Sequence, residues 1–132
     1  MEPDNLCETG APVRCGDSLR LEHVETKANL HSHEISSPIS GKYEVTGFGE
    51  DGEGDSGDNW IIECIDSATG LAKKDSKDIL MGSSTFQLRH INTKGVLMCE
   101  KKNDYNNRNC ARCPIIGQLE ASTQLRGISK NT

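Results

Sequence analysis

The sequence predicts an all-β domain assembled from repeated units of four short strands, and three observations lead there. The first is an internal repeat. Leu19 to Leu30 aligns with Gln87 to Leu97, so that His23, Thr26, Lys27 and Leu30 fall on His90, Thr93, Lys94 and Leu97 at one constant spacing. Pro38 to Thr46 then aligns with Pro114 to Ser122 at a wider spacing, which places an insertion inside the second copy. Such self-similarity marks units that cannot bury an apolar face alone and that stack to close a core. The second observation is alternation of apolar and polar residues over short runs, the period of half-buried strands. The third is the 13 glycines, which interrupt every window of helical periodicity.

Val13 to Leu21 supplies the first strand, and a turn containing Thr26 and Lys27 leads to a second apolar element at Leu30. Tyr43 to Phe48 and Asn59 to Cys64 follow as the third and fourth, separated by a loop rich in glycine and acid. Residues 67–84 are polar, with Lys73, Lys74, Asp75, Lys77 and Asp78 close together, and read as a solvated connection in which Ile79-Leu80-Met81 forms one short strand. Phe86 to Ile91 and the element at Leu97 reopen the pattern. One domain over 1–132 is expected, with unit A about 13–66, the connection 67–84, and unit B about 85–132, its last strand short or missing.

The chain has 132 residues, 33% of them hydrophobic, and a mean hydropathy of −0.61, enough for one domain with a small core. Its longest apolar run, Trp60-Ile61-Ile62, falls far short of the ~20 residues that span a bilayer, and Met1 to Asn5 lacks the zones of a signal peptide. A net charge of −5 sets the chain against nucleic acid, whose phosphates call for Lys and Arg. Six cysteines point to an oxidising compartment, although about fifteen pairings are open to them.

Several residues invite a chemical reading. His31 and His33 share one face of an extended element, yet zinc would need further ligands that the nearby sequence does not supply, so no metal or cofactor is expected. His23 and His90 recur with the repeat and read as architectural. The run from Glu50 to Asp58 places acids at Asp51, Glu53 and Asp55 like a calcium loop. It carries Ser56 and Ile62 where the EF-hand template wants glycine and glutamate, and so reads as an acidic solvated hairpin. Cys110-Ala111-Arg112-Cys113 has redox spacing without the helix N-terminus that activates a thiolate. A local disulfide from Cys99 to Cys110 or Cys113, stapling the polar insertion, is the simpler expectation. No nucleophile elbow, phosphate loop or carboxylate pair suggests catalysis, so the chain reads as no enzyme.

Leu30-His31-Ser32-His33, the stretch Ser37 to Thr46, and the segment Gly49 to Trp60 with its Gly52-Glu53-Gly54-Asp55 resemble a MIR domain, within that group most closely the stromal cell-derived factor 2-like proteins. The resemblance covers roughly residues 7–122 and is strongest in the first copy. It implies a β-trefoil of three four-stranded units, here expected to be incomplete with two of the three, because little chain precedes the first copy and the second ends without a counterpart of Trp60. Open edges of that kind imply self-association. In a trefoil unit the first and last strands run side by side, which would bring Cys15 to Cys64. The resemblance further implies a non-catalytic binding module of the endoplasmic reticulum lumen. Its partners would be a luminal J-domain protein and Hsp70-type chaperone, an unfolded client or an O-mannosyl glycan, with no nucleic acid and no membrane insertion. Contacts are expected at His31, Ser32, His33, Ser37, Gly41 and Glu44. The alternatives are the accessory domain of a protein O-mannosyltransferase, or a carbohydrate-binding trefoil lectin.

Overall fold

The computed structural model describes residues 8–50 and 53–125. Cys7, the carboxy-terminal Lys130-Asn131-Thr132, and Asp51 and Gly52 of the acidic run lie outside them. Seven strands form one antiparallel sheet: β1 (Ser18–Leu19), β2 (Asn29–Ser36), β3 (Tyr43–Phe48), β4 (Trp60–Cys64), β5 (Phe86–His90), β6 (Val96–Asp104) and β7 (Leu119–Gln124), in the order β1-β4-β5-β6-β7-β3-β2. The two edges return toward each other. Just beyond β1, Glu22 forms a bridge with Asn29, and the Leu30 amide donates to the Leu21 carbonyl at 2.8 Å. The sheet is therefore curled, and β7 of the second copy inserts beside β3 of the first, with Tyr43 opposite Thr123.

The expected first strand is cut to two residues. The Arg14 amide donates to Asp17 Oδ2 at 2.9 Å, the Asp17 amide donates back to the Arg14 carbonyl at 3.1 Å, and that turn takes the chain out of the ladder. Ile79 likewise forms only an isolated bridge, to Arg14, because the chain turns again at Met81, whose amide donates to Ser84 Oγ. The insertion lengthens β6 through Asp104 and adds a loop before β7.

The shared His-x-x-Thr-Lys motif builds the same turn twice. The first histidine's amide donates to the carbonyl five residues on, at 2.8 Å for His23 and 2.7 Å for His90, and the lysine amide donates back to the histidine carbonyl. The threonine amide donates to histidine Nδ1, and the lysine takes a left-handed conformation, φ 62° at Lys27 and 65° at Lys94. Two further turns have this plan. Asp66 to Leu71 and Ser37 to Lys42 close with the same pair of backbone bonds, with Gly70 and Gly41 in the left-handed seat at φ 73°. A short side chain that accepts locally and a residue tolerant of positive φ are all the turn requires.

The interior is small. Cys15, Ile62 and Cys64 form one buried cluster with Leu19, Leu80 and Leu88 against it. A second centre is Trp60, wholly buried, whose indole donates to the Leu30 carbonyl at 2.9 Å and meets the His90 ring edge-on at 4.8 Å. Cys15 and Cys64 are joined by a disulfide across the first cluster. The expected bond from Cys99 does not form: Cys110 and Cys113 pair with each other, and Cys99 has an exposed free thiol. The reason is the length of β6. Cys99 sits in the ladder opposite Ala121, and the strand runs on to Asp104 before the loop begins, carrying the other two cysteines away.

Candidate binding site

The acidic run stays exposed at Glu50, Glu53 and Asp55, as a solvated loop would, but its last residues, Gly57 and Asp58, fold back buried against β2. Asp55 caps a one-turn 3-10 helix, Ser56–Asp58, its Oδ1 accepting from the Gly57 amide at 2.8 Å, while Asp58 Oδ2 accepts from the Asp55 amide at 2.9 Å. This is a reciprocal capping box. It leaves Asp58 with no exposed surface. Its other contacts reach across to β2: Oδ1 accepts from His31 Nδ1 at 2.8 Å and Oδ2 from Asn29 Nδ2 at 3.2 Å. Gly57 is needed here because a Cβ at that position would overlap the His31 ring.

A carboxylate only accepts, so Nδ1 of His31 carries the proton and Nε2 is left as a bare lone pair. Phe48, at the end of β3 and 40% exposed, stacks on the same ring with centroids 4.5 Å apart. His33 stands edge-on to His31 at 5.1 Å, its Nε2 held by Glu44 Oε1 at 2.8 Å. Across from them Asn92, in the turn after β5, donates through Nδ2 to Ser56 Oγ at 3.0 Å. Together these groups bound an open cleft of about 460 Å³ between the two copies, lined by His31, His33, Phe48, Asp55 and Asn92 among others.

The expected contact residues divide. His31 and His33 line the cleft and Glu44 orients His33, whereas Ser32, between them in the strand, is buried with its hydroxyl donating to the Glu44 carbonyl at 2.9 Å. Ser37 does not reach the cleft. Its hydroxyl donates to Glu120 Oε1 at 3.2 Å, and the Ile39 and Ser40 amides donate to the same carboxylate at 2.5 and 3.1 Å, so Ser37 anchors the β2–β3 turn to β7. Burial raises the Glu120 pKa, but the hydrogen bonds from Ser40, Ile39 and Ser37 outweigh that and hold it below the ordinary carboxylate range. Gly41 is exposed in that turn, beside Tyr43 and Leu125. Phe48, Asp58 and Asn92 are the residues that reading the sequence missed. For Asp58 a signal existed: aspartates three apart, directly before an apolar strand, are a capping pattern.

His31, Asp55 and Asp58 present ligand atoms within 4.8 Å of one another. Each is already engaged, however: Nδ1 in the bond to Asp58, Asp55 Oδ1 in the cap, and both Asp58 oxygens on donors. The trio is the hydrogen-bonded floor of the cleft. Beneath it, His90 donates through Nε2 to the Gly57 carbonyl at 2.6 Å and accepts at Nδ1 from the Thr93 amide, a neutral imidazole.

Burial lowers the His90 pKa most; the Gly57 carbonyl and Asp58 oppose this, and any positive charge on the neighbouring His31 or His33 reinforces it. Unfolding returns the ring to an ordinary pKa of about 6.5, so below that pH the unfolded chain binds the additional proton. Stability is therefore expected to fall as pH drops from about 6.5 through the lower folded value. Melting temperatures measured from pH 7.5 to 5 check this. The decline should be shallower in His90→Gln, and an unchanged slope would remove His90 as its source.

A family model described as the MIR domain matches residues 2–112. Among curated proteins, the chain is 40% identical over 122 residues to stromal cell-derived factor 2-like protein of Dictyostelium discoideum, covering 92% of this chain and 49% of that one. It is 54% identical over 59 residues to human stromal cell-derived factor 2, covering 45% and 28%. Over 84 residues it is 42% identical to dolichyl-phosphate-mannose–protein mannosyltransferase 6 of Saccharomyces cerevisiae, covering 60% and 11%. The chain thus spans half or less of these relatives. The SDF2-like protein of Arabidopsis thaliana superposes with a TM-score of 0.75 at 30% identity, over 96% of this chain and 61% of that one. The S. cerevisiae protein O-mannosyltransferase Pmt1-Pmt2 complex bound to the sugar donor gives 0.69 at 24% identity, over 89% and 16%, a likeness of fold.

Proposed function

The chain belongs to the MIR-domain family, with a β-trefoil-like fold, and from that premise we propose that it is a binding module of protein quality control in the endoplasmic reticulum. In this reading the His31 cleft holds an O-mannosyl glycan or client polypeptide without transforming it, alongside a luminal J-domain protein and an Hsp70-type chaperone. The observation that carries the proposal is the buried Asp58–His31 bond beneath an exposed Phe48. It fixes a hydrogen-bond acceptor, His31 Nε2, next to an aromatic face. A pocket with a few oriented polar groups against an apolar wall suits a hydroxyl-rich ligand or a peptide backbone. Asn92 adds a short polar side chain along the same wall.

Titration calorimetry with an O-mannosylated peptide and its unglycosylated twin tests this. Phe48→Ala and His33→Ala should each weaken binding about tenfold, the loss of one stacking contact or one oriented hydrogen bond. Both residues lie at the cleft surface, and the melting temperature should hold within a few degrees. Affinity unchanged in both variants would exclude the cleft. A second reading, the accessory domain of a mannosyltransferase, rests on the likeness to mannosyltransferase 6. Binding to the glycosylated peptide alone, with no capture of luminal chaperones, favours it.

A further inference from the structure

We infer that the Cys110–Cys113 disulfide is a thiol–disulfide exchange site for dithiols of extended polypeptides, a role that does not depend on the His31 cleft. The described residues hold two unlike disulfides. Cys15–Cys64 joins residues 49 apart and both its cysteines are buried in the core, whereas Cys110–Cys113 joins residues three apart and both are only half-buried.

The short bridge is not what shapes its loop. The loop base is closed by the Tyr105 amide on the Gln118 carbonyl and the Gly117 amide on the Tyr105 carbonyl, each 2.8 Å. Within it the Asn106 amide donates to Asn109 Oδ1 at 3.0 Å, the Arg108 amide to Asn106 Oδ1 at 2.9 Å, and Asn109 Nδ2 to the Asp104 carbonyl at 2.9 Å. The Cys110 amide donates to the Asn106 carbonyl at 2.9 Å and the Cys113 amide to the Cys110 carbonyl at 3.1 Å. A turn held this way keeps two thiols side by side after reduction, so the bond opens and closes without refolding the chain.

The surroundings favour exchange. Arg108 precedes Cys110 and Arg112 lies between the two cysteines, both exposed; no acidic residue occurs between Asp104 and Glu120, and neither arginine makes an ion pair among the described residues. Positive charge draws an attacking thiolate and stabilises the thiolate that leaves. Pro114, Ile116 and Leu119 give the loop an exposed apolar lip against which an unfolded segment can lie. Cys99 is not the attacking group, since the run of strand from it to Asp104 is roughly 16 Å long.

The step balances without another oxidant. A thiolate of the polypeptide attacks one sulfur of the pair, the Cys110–Cys113 bond breaks, and its other sulfur leaves as thiolate. The polypeptide's second thiol, losing its proton, then attacks its own sulfur in the mixed disulfide and releases the first cysteine. The polypeptide is oxidised to a disulfide, and the pair is reduced to two thiols. Small-molecule disulfides, glutathione disulfide among them, reverse the change for another round.

The test incubates the oxidised full chain with a reduced two-cysteine peptide in oxygen-free buffer, then alkylates and maps both by mass. One peptide disulfide should appear for each Cys110–Cys113 pair reduced, with Cys15–Cys64 intact. Cys113→Ser with Cys110 first glutathionylated should, with a one-cysteine peptide, give a peptide–Cys110 mixed disulfide and one released glutathione thiol, because no second thiol is present to resolve it. Arg108→Gln with Arg112→Gln should slow the wild-type reaction several-fold. Mapping in the unaltered protein needs no variant to fold. A peptide that stays reduced while Cys110–Cys113 stays closed, or oxidation undiminished in Cys110→Ser with Cys113→Ser, overturns the assignment.

Discussion

Replacing Cys15 and Cys64 together by alanine is expected to lower the unfolding free energy by about 4 kcal/mol, the chain-entropy value for a cross-link that closes a loop of about 50 residues. The bridge joins the turn before β1 to the end of β4, so it holds together the two ends of the first copy. Little else in that region replaces it. Among the described residues the buried apolar side chains are Cys15, Trp60, Ile62, Cys64 and Val96, while large ones such as Val24, Leu71 and Met81 remain mostly exposed. A domain of this size holds about 5–15 kcal/mol in total, so the loss takes a large fraction of it. Urea unfolding at pH 7 checks the value: the midpoint should fall sharply for the double variant. Removing Cys110 and Cys113 should move it much less, because a bridge between near neighbours excludes few unfolded conformations. Equal midpoints for the two double variants would show that the core disulfide does not carry the first copy.

Much of the fold was legible because it is written in local patterns. The alternation in Tyr43–Phe48 and Trp60–Cys64 marks β3 and β4, and the histidine, threonine and lysine shared by the two copies mark a turn whose every hydrogen bond uses those side chains or their backbone. The turns at Ser37 and Asp66 follow the same plan with different letters, Ser or Asp for His and Gly for Lys, and identity matching passes over them although the chemistry is conserved. What the sequence left hidden depends on distance. Glu120 is far from Ser37 in the chain, and nothing near either residue says that one carboxylate gathers three donors from the other hairpin. The cysteines misled for a related reason. Spacing suggested a staple from Cys99, but the length of β6 decided which sulfurs meet, and that length is set by pairing with β7. The histidine pair on one strand face was visible, whereas Asp58, which orients His31 through its Nδ1, looked like one more surface acid.

Asp58→Ala is expected to cost about 3–5 kcal/mol and to abolish ligand binding at the cleft, the range for removing one partner of a buried charged network. Three donors lose their acceptor at once, His31 Nδ1, Asn29 Nδ2 and the Asp55 amide, in a site that water does not reach at Asp58 itself. The return half of the capping box goes with them, leaving only the Asp55 Oδ1 bond to the Gly57 amide to hold Gly57 against the His31 ring and the His90 Nε2 bond. Asp58→Asn separates folding from function. The amide keeps the volume and one acceptor oxygen, so it should cost only about 1–2 kcal/mol. If its oxygen stays on Asn29 and the Asp55 amide, its nitrogen faces His31 Nδ1 and donates, which drives the imidazole proton to Nε2. The cleft then presents a donor where it had an acceptor. Nitrogen chemical shifts of His31 should show that tautomer exchange, and affinity for the O-mannosylated peptide should drop about tenfold or more in a variant that still melts cooperatively. A folded Asp58→Asn protein with His31 still protonated at Nδ1 and with unchanged affinity would show that the buried carboxylate shapes the loop and nothing beyond it.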